Sequence, residues 1–174
     1  MIHSGNNYAF IDSQNIHLGI RGLGWKLDWL KFRIYLAEKY HVTTAYLFLG
    51  FLLEYTDRYV ELQKAGFILQ FKPVVADSSG EIKGNIDADM VLHVMIDFGE
   101  YEKAIIVTSD GDFYSLVDYL YKNNRLQVVL SPCADNCSAL LKKAAKGKIA
   151  FINDVRKKLD SFNDNEKAPQ QDKT

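Results

Sequence analysis

The 174-residue sequence predicts an α/β fold, one parallel sheet covered by helices on both faces. Two observations predict it. Segments of strand and helix character alternate along the chain, and several of the strands are short apolar runs of the kind that lie buried on both faces. A third observation places the chemistry: aspartates recur directly after strands, at the carboxyl ends where open α/β sheets gather their sites.

The elements follow in order. Residues 8–11 (YAFI) are an apolar strand ending at Asp12, and residues 19–24 read as a glycine-rich loop. Residues 27–40 have helical spacing that turns Leu30, Ile34, Leu36 and Ala37 inward. Residues 42–49 (VTTAYLFL) are β-branched and aromatic, hence strand, and residues 55–65 form a helix with Gly66 where a C-terminal cap belongs. Residues 67–75 return to strand, and residues 76–85 (ADSSGEIKGN) have loop chemistry. Residues 86–98 are apolar nearly all round, which predicts a buried helix, and residues 104–107 (AIIV) are a buried strand. A helix over 113–122 and a strand over 126–130 complete the alternation, with right-handed crossovers between parallel strands.

The full chain is 48% apolar and 25% charged, and residues 1–160 are long enough for one domain with a sizeable core. From residue 161 the apolar content falls away, which predicts a disordered tail over 161–174. The formal charge of −1 gives no global attraction for a polyanion, so any such partner must meet a local patch. Cys133 and Cys137 lack the neighbouring ligands of a zinc site and read as reduced thiols. No secretory leader or apolar span is visible, so a cytoplasmic location and no membrane partner are expected.

The chemistry-bearing residues are acids. Asp12 follows the first strand, Asp110 and Asp112 follow the fourth in TSDGDF, and Asp87 opens the helix in KGNIDADMV. If the first and fourth strands are neighbours, these acids converge. Carboxylates sharing one hollow repel and raise one another's pKa unless a cation occupies it, and an all-oxygen set suits Mg²⁺ or Mn²⁺ better than zinc. Each acid also has an ordinary reading: Asp87 and Asp112 stand where helices cap, and Asp12 and Asn15 are common turn formers. Asp89 lies two residues from Asp87, about 200° around a helix, so Asp87 is the candidate and Asp89 the reserve. Gly111 is expected to let the chain turn sharply between its two acids.

Three segments, YAFIDSQNI, KGNIDADMVLHVMID and AIIVTSDGDFYSLVDYL, together resemble the NYN domain, a branch of the PIN-like metal-dependent nucleases. Ser109 stands where the family's turn usually has glycine. The resemblance implies a three-layer α/β/α, Rossmann-like (PIN-like) domain that holds Mg²⁺ or Mn²⁺ and cuts RNA. Asp12, Asp87, Asp110 and Asp112 would then be the catalytic and metal-holding set, and Asn15 a polar partner near the scissile phosphate. Lys83, in the K-x-x-x-D stretch before Asp87, is a further substrate-binding candidate.

An acidic hollow needs positive charge nearby to hold a phosphate backbone. Between residues 138 and 159 seven basic residues, Lys142 and Lys143 among them, face Asp154 alone, a local charge of +6. A solvated helix end is the ordinary reading of such a run. Arg21 and Lys26 lie nearer the expected active face, and Phe51 and Tyr55 are candidates to stack on bases, although most aromatics in a domain this size are core. The expected partner is nucleic acid, RNA first, and self-association into a homo-oligomer is allowed. A haloacid-type phosphatase is disfavoured because Gln14 stands where its second aspartate belongs, and neither a P-loop nor G-x-G-x-x-G occurs. The rivals are a catalytically silent NYN-like module that binds RNA or a protein, and a module whose metal is purely structural.

Overall fold

A computed structural model describes residues 5–72, 75–76, 82–83 and 86–162, without the side chains of 75, 76, 82 and 83. Its strands are β1 (Asn7–Asp12), β2 (Val42–Gly50), β3 (Ile68–Lys72), β4 (Val75–Ala76), β5 (Ile82–Lys83), β6 (Ala104–Val107), β7 (Leu126–Ser131) and β8 (Ile149–Phe151). The helices are α1 (Ser13–Gly22), α2 (Trp29–Tyr40), α3 (Thr56–Lys64), α4 (Asp87–Ile96), α5 (Tyr114–Lys122), α6 (Ala139–Ala145) and α7 (Arg156–Leu159).

Six strands form an all-parallel sheet in the order β3-β2-β1-β6-β7-β8, with β4 and β5 paired antiparallel outside it. From β1 the chain steps outward through β2 to β3, returns to place β6 on the other side of β1, and steps away through β7 to β8. The seam between β1 and β6 is therefore the switch point of the sheet, where α/β folds open a crevice at the strand ends. Ile11 lies opposite Val107 in that seam, so Asp12 and Thr108 leave the sheet side by side.

The period of two along each strand divides the core. Ala9 and Ile11 of β1 and Ile105 and Val107 of β6 face α1 and α2 through Ile16, Ile20, Phe32 and Leu36. Phe10 and Ile106 face the other layer, where Met90 and Val94 of α4, Leu116, Val117 and Leu120 of α5 and Leu141 of α6 cover them. The expected adjacency of the first and fourth main strands is observed.

Several expectations are corrected. Residues 19–24 are not simply a loop, because α1 runs through Gly19 to Gly22. Gly19 is required by packing: a Cβ there would lie 2.5 Å from Cγ of Pro132. In α2 the buried stripe is Phe32, Leu36 and Tyr40 at i, i+4 and i+8, and Leu30 and Ile34 are exposed. Helix α4 is not buried all round: it rests on the sheet through Met90 and Val94, leaving Leu92 60% and Ile96 66% exposed. The strand expected over 67–75 ends at Lys72, and the loop expected over 76–85 holds parts of β4 and β5. Strand β8 is too short, at three residues, to show alternation in sequence. Most of the expected tail, 163–174, lies outside the described residues.

Candidate metal centre

Asp12 is the last residue of β1 and the N-cap of α1, where its Oδ1 accepts the Asn15 backbone N–H at 3.1 Å. An acid fits there because the first turn of a helix carries unpaired N–H groups and a positive dipole end. The side chain is only 6% exposed, and the Thr108 hydroxyl donates to its Oδ2 at 3.4 Å. Burial pushes its pKa up to about 6, the nearby charges of Asp87 and Asp110 push the same way, and the hydrogen bonds from Asn15 and Thr108 oppose them.

Thr108 also accepts the Asp110 backbone N–H at 3.2 Å, so one buried hydroxyl fixes the start of the TSDGDF turn. Asp110 caps the 3₁₀ turn Gly111–Phe113 by accepting the Asp112 N–H at 2.9 Å. Gly111 does not have the left-handed backbone that only glycine readily supplies. It sits in close approach instead: a Cβ would lie 2.5 Å from Ser138 Oγ and 3.1 Å from Ser138 Cβ, and Ser138 N–H donates to the Ser109 carbonyl at 3.1 Å.

Asp87 arrives from the other side as the first residue of α4, with Ile86 in the cap position. One carboxylate oxygen each from Asp87, Asp110 and Asp112 lies within 4.8 Å of the others. This is an all-oxygen donor set of the kind hard divalent cations take. Asp12 is outside that close set but lines the same open hollow of about 300 Å³, together with Asn15, Asp87 and Asp110. Asp89 points elsewhere, to Lys72 at 3.2 Å.

Asn15 Oδ1 accepts both the N–H and the hydroxyl of Ser109, at 2.8 and 2.9 Å. Its amide ties α1 to the acidic turn, a bond for which the hydroxyl of Ser109, unlike glycine, supplies a second donor. Gln14, Leu18 and Ile86 complete the hollow. Thr108, which bonds Asp12 and the Asp110 N–H, and Ser138, which donates to the Ser109 carbonyl, were not singled out from sequence. Their signal was position, Thr108 opening the turn after a buried strand.

The candidate basic residues are dispersed. Arg21 is exposed at the end of α1, in a separate hollow with His17, Lys26 and Arg58. Lys142 donates to the Ala134 carbonyl at 2.6 Å, and Lys143 is exposed on α6. Lys146 and Lys148 lie over the Tyr121 ring, and Arg156 pairs with Asp160 and covers Trp25. Lys83 lies in β5, and its side chain is outside the described residues. Phe51 packs on Tyr59 and Phe71, while Tyr55 stands at another hollow beside α1. Cys133 and Cys137 are free and buried. Among the described residues no helix is long and apolar enough to cross a membrane.

The chain is similar to a protein of unknown function from Vibrio parahaemolyticus, whose crystal structure superposes with a TM-score of 0.74 at 21% identity. The match covers 92% of this chain and 98% of that one, and shows a shared fold. No curated protein matches. The family model of the NYN domain matches residues 8–153, a span that contains the β1–β6 seam and all the acids gathered at it. The chain belongs to the NYN domain family.

Proposed function

We propose that the protein is a metal-dependent endonuclease that hydrolyses phosphodiester bonds in RNA, with Mg²⁺ or Mn²⁺ held by Asp87, Asp110 and Asp112 and by Asp12 beside them. The observation that carries the proposal is the approach of three carboxylates, from two segments distant in sequence, to within 4.8 Å. Repulsion among them costs stability without a cation and favours one strongly when it is available. The nuclease-like character of the NYN family points the same way.

A bound divalent ion supplies water acidic enough to lose a proton near neutral pH and offsets negative charge on the phosphate. The chain's own residues do the positioning. Thr108 and Asn15 fix the Ser109–Asp112 turn to β1 and α1, so the carboxylates are held before substrate arrives. Asp12, being buried, adds negative charge without exposing it to bulk water.

Purified protein should cleave single-stranded RNA in Mg²⁺ or Mn²⁺ and lose that activity in chelator and in Asp110→Asn. Cleavage that persists in chelator and in Asp12→Asn and Asp110→Asn would overturn the mechanism. RNA binding without cleavage in either metal would identify a silent module.

A further inference from the structure

A hollow of about 440 Å³ lies beside the acids, and nothing in the chemistry above uses it. Its walls are the first turns of α1, the end of β2 with Leu52, and α3 with Tyr55, Arg58 and Tyr59. Gln14 and Ile86 line both this hollow and the acidic one, so the two adjoin. His17 and Arg58 in turn line both this hollow and the one holding Arg21 and Lys26. The surface therefore changes along α1 from carboxylate to aromatic and apolar to basic.

The middle section is built to receive a flat, apolar group. Tyr59 is a fixed wall: its hydroxyl accepts the Leu52 N–H at 2.9 Å and donates to the Gly50 carbonyl at 3.3 Å. Tyr55, 47% exposed, offers a ring at the edge. The volume falls within the range of about 300–1,000 Å³ typical of ligand pockets. Among the described residues no carboxylate lines this hollow or the basic one, and Arg21, Lys26 and Arg58 form no ion pair. Burial first, and then the charges of Arg58, Arg21 and Lys26, hold the His17 imidazole below its ordinary pKa, so these cations act on one region. By contrast, Lys142, Lys148 and Arg156 of the C-terminal stretch are engaged with protein groups.

A purely apolar ligand would leave three cations unexplained, and a free phosphate would leave the aromatic hollow unexplained. A single-stranded polynucleotide uses both, stacking bases on aromatic rings and passing its backbone over cations. We infer that this hollow binds the base of a nucleotide flanking the phosphate at the acids, stacked on Tyr55, and that the strand continues over Arg58 toward Arg21 and Lys26. The inference rests on the RNA reading above and names the track its substrate follows.

The test is binding of a fluorescent oligouridine to the full chain in chelator, read by anisotropy, where cleavage cannot interfere. Tyr55→Ala should weaken binding about tenfold, the effect expected of one lost stacking contact. Arg21→Ala combined with Lys26→Ala should lower the salt slope by about 1.4, two single-strand phosphate contacts at about 0.7 each. Unchanged binding in Tyr55→Ala and Arg58→Ala, or a larger loss in Lys142→Ala/Lys143→Ala than in Arg58→Ala, would overturn the inference. So would absence of saturable binding by the unaltered protein, or equally tight binding of an acidic peptide. Its failure is separable from that of the hydrolysis proposal. Tyr55-dependent binding with no cleavage in Mg²⁺ or Mn²⁺ keeps the track and removes the hydrolysis, whereas cleavage with KM unchanged in Tyr55→Ala and Arg58→Ala does the reverse.

Discussion

Asn15 and Ser109, 94 residues apart, are joined twice through a single oxygen: Oδ1 of Asn15 accepts both the backbone N–H and the hydroxyl of Ser109. A side chain that looks like a turn former in sequence is thus a clamp between the first helix and the acidic turn. Asn15→Ala leaves the Ser109 N–H without its acceptor and should cost about 1–3 kcal/mol, whereas Ser109→Ala removes only the hydroxyl bond and should cost about 1 kcal/mol. Urea denaturation of both variants checks the order. Equal costs, or none for Asn15→Ala, would show that the amide does not clamp the turn.

Asp12 makes metal-free stability depend on pH. Its pKa is raised from 3.8 to about 6 in the folded chain, so the folded state disfavours the charged form. The resulting destabilisation is absent below about pH 4 and complete above about pH 6, where it is on the order of 3 kcal/mol. Asn in its place still accepts a hydrogen bond, so Asp12→Asn should be more stable than the unaltered protein at pH 8 in chelator. That advantage should vanish as pH falls toward 4. A stability difference that does not vary with pH would refute this account of Asp12.

Metal should reverse the penalty. A ligand that binds only the folded state at about 100 times its Kd adds about 2.7 kcal/mol, which for a chain of this size raises Tm by about 5–10 °C. Thermal melts in Mn²⁺ should show that rise, and Asp87→Asn and Asp110→Asn should lose most of it. Equal rises in all three proteins would place the ion elsewhere.

Two glycines of α1 should respond in opposite directions to alanine. Gly22→Ala meets nothing within 4 Å among the described residues and should be neutral or slightly stabilising, because alanine is the better helix former. Gly19→Ala drives a methyl to 2.5 Å from the Pro132 ring and should cost about 1–3 kcal/mol despite the same propensity gain. Denaturant midpoints decide it. A neutral Gly19→Ala would mean that the Pro132 loop yields freely.

The central strands were legible because each is buried on both faces and reads as an apolar run, as 104–107 does without a residue's error. Helix α1 was not, because Gly19 and Gly22 mask the Ile16–Ile20 stripe that turns it toward the sheet. The acids were legible as a set, since carboxylates after strands have few ordinary explanations in combination. The burial of Asp12 was not, because it arises where segments distant in sequence meet, as its bond from Thr108, 96 residues away, shows. The basic stretch after residue 138 reads as one patch in sequence, but the fold sends Lys146 and Lys148 to Tyr121 and Arg156 to Trp25.

The seam between β1 and β6 has a consequence for biosynthesis. Asp12 emerges early, and its neighbours Asp110 and Asp112 emerge only after the intervening strands and helices have been made. A ribosome-bound chain that has not yet produced β6 therefore holds Asp12 and Asp87 but neither Asp110 nor Asp112. Whatever chemistry they perform together begins only once the two halves of the sheet have docked.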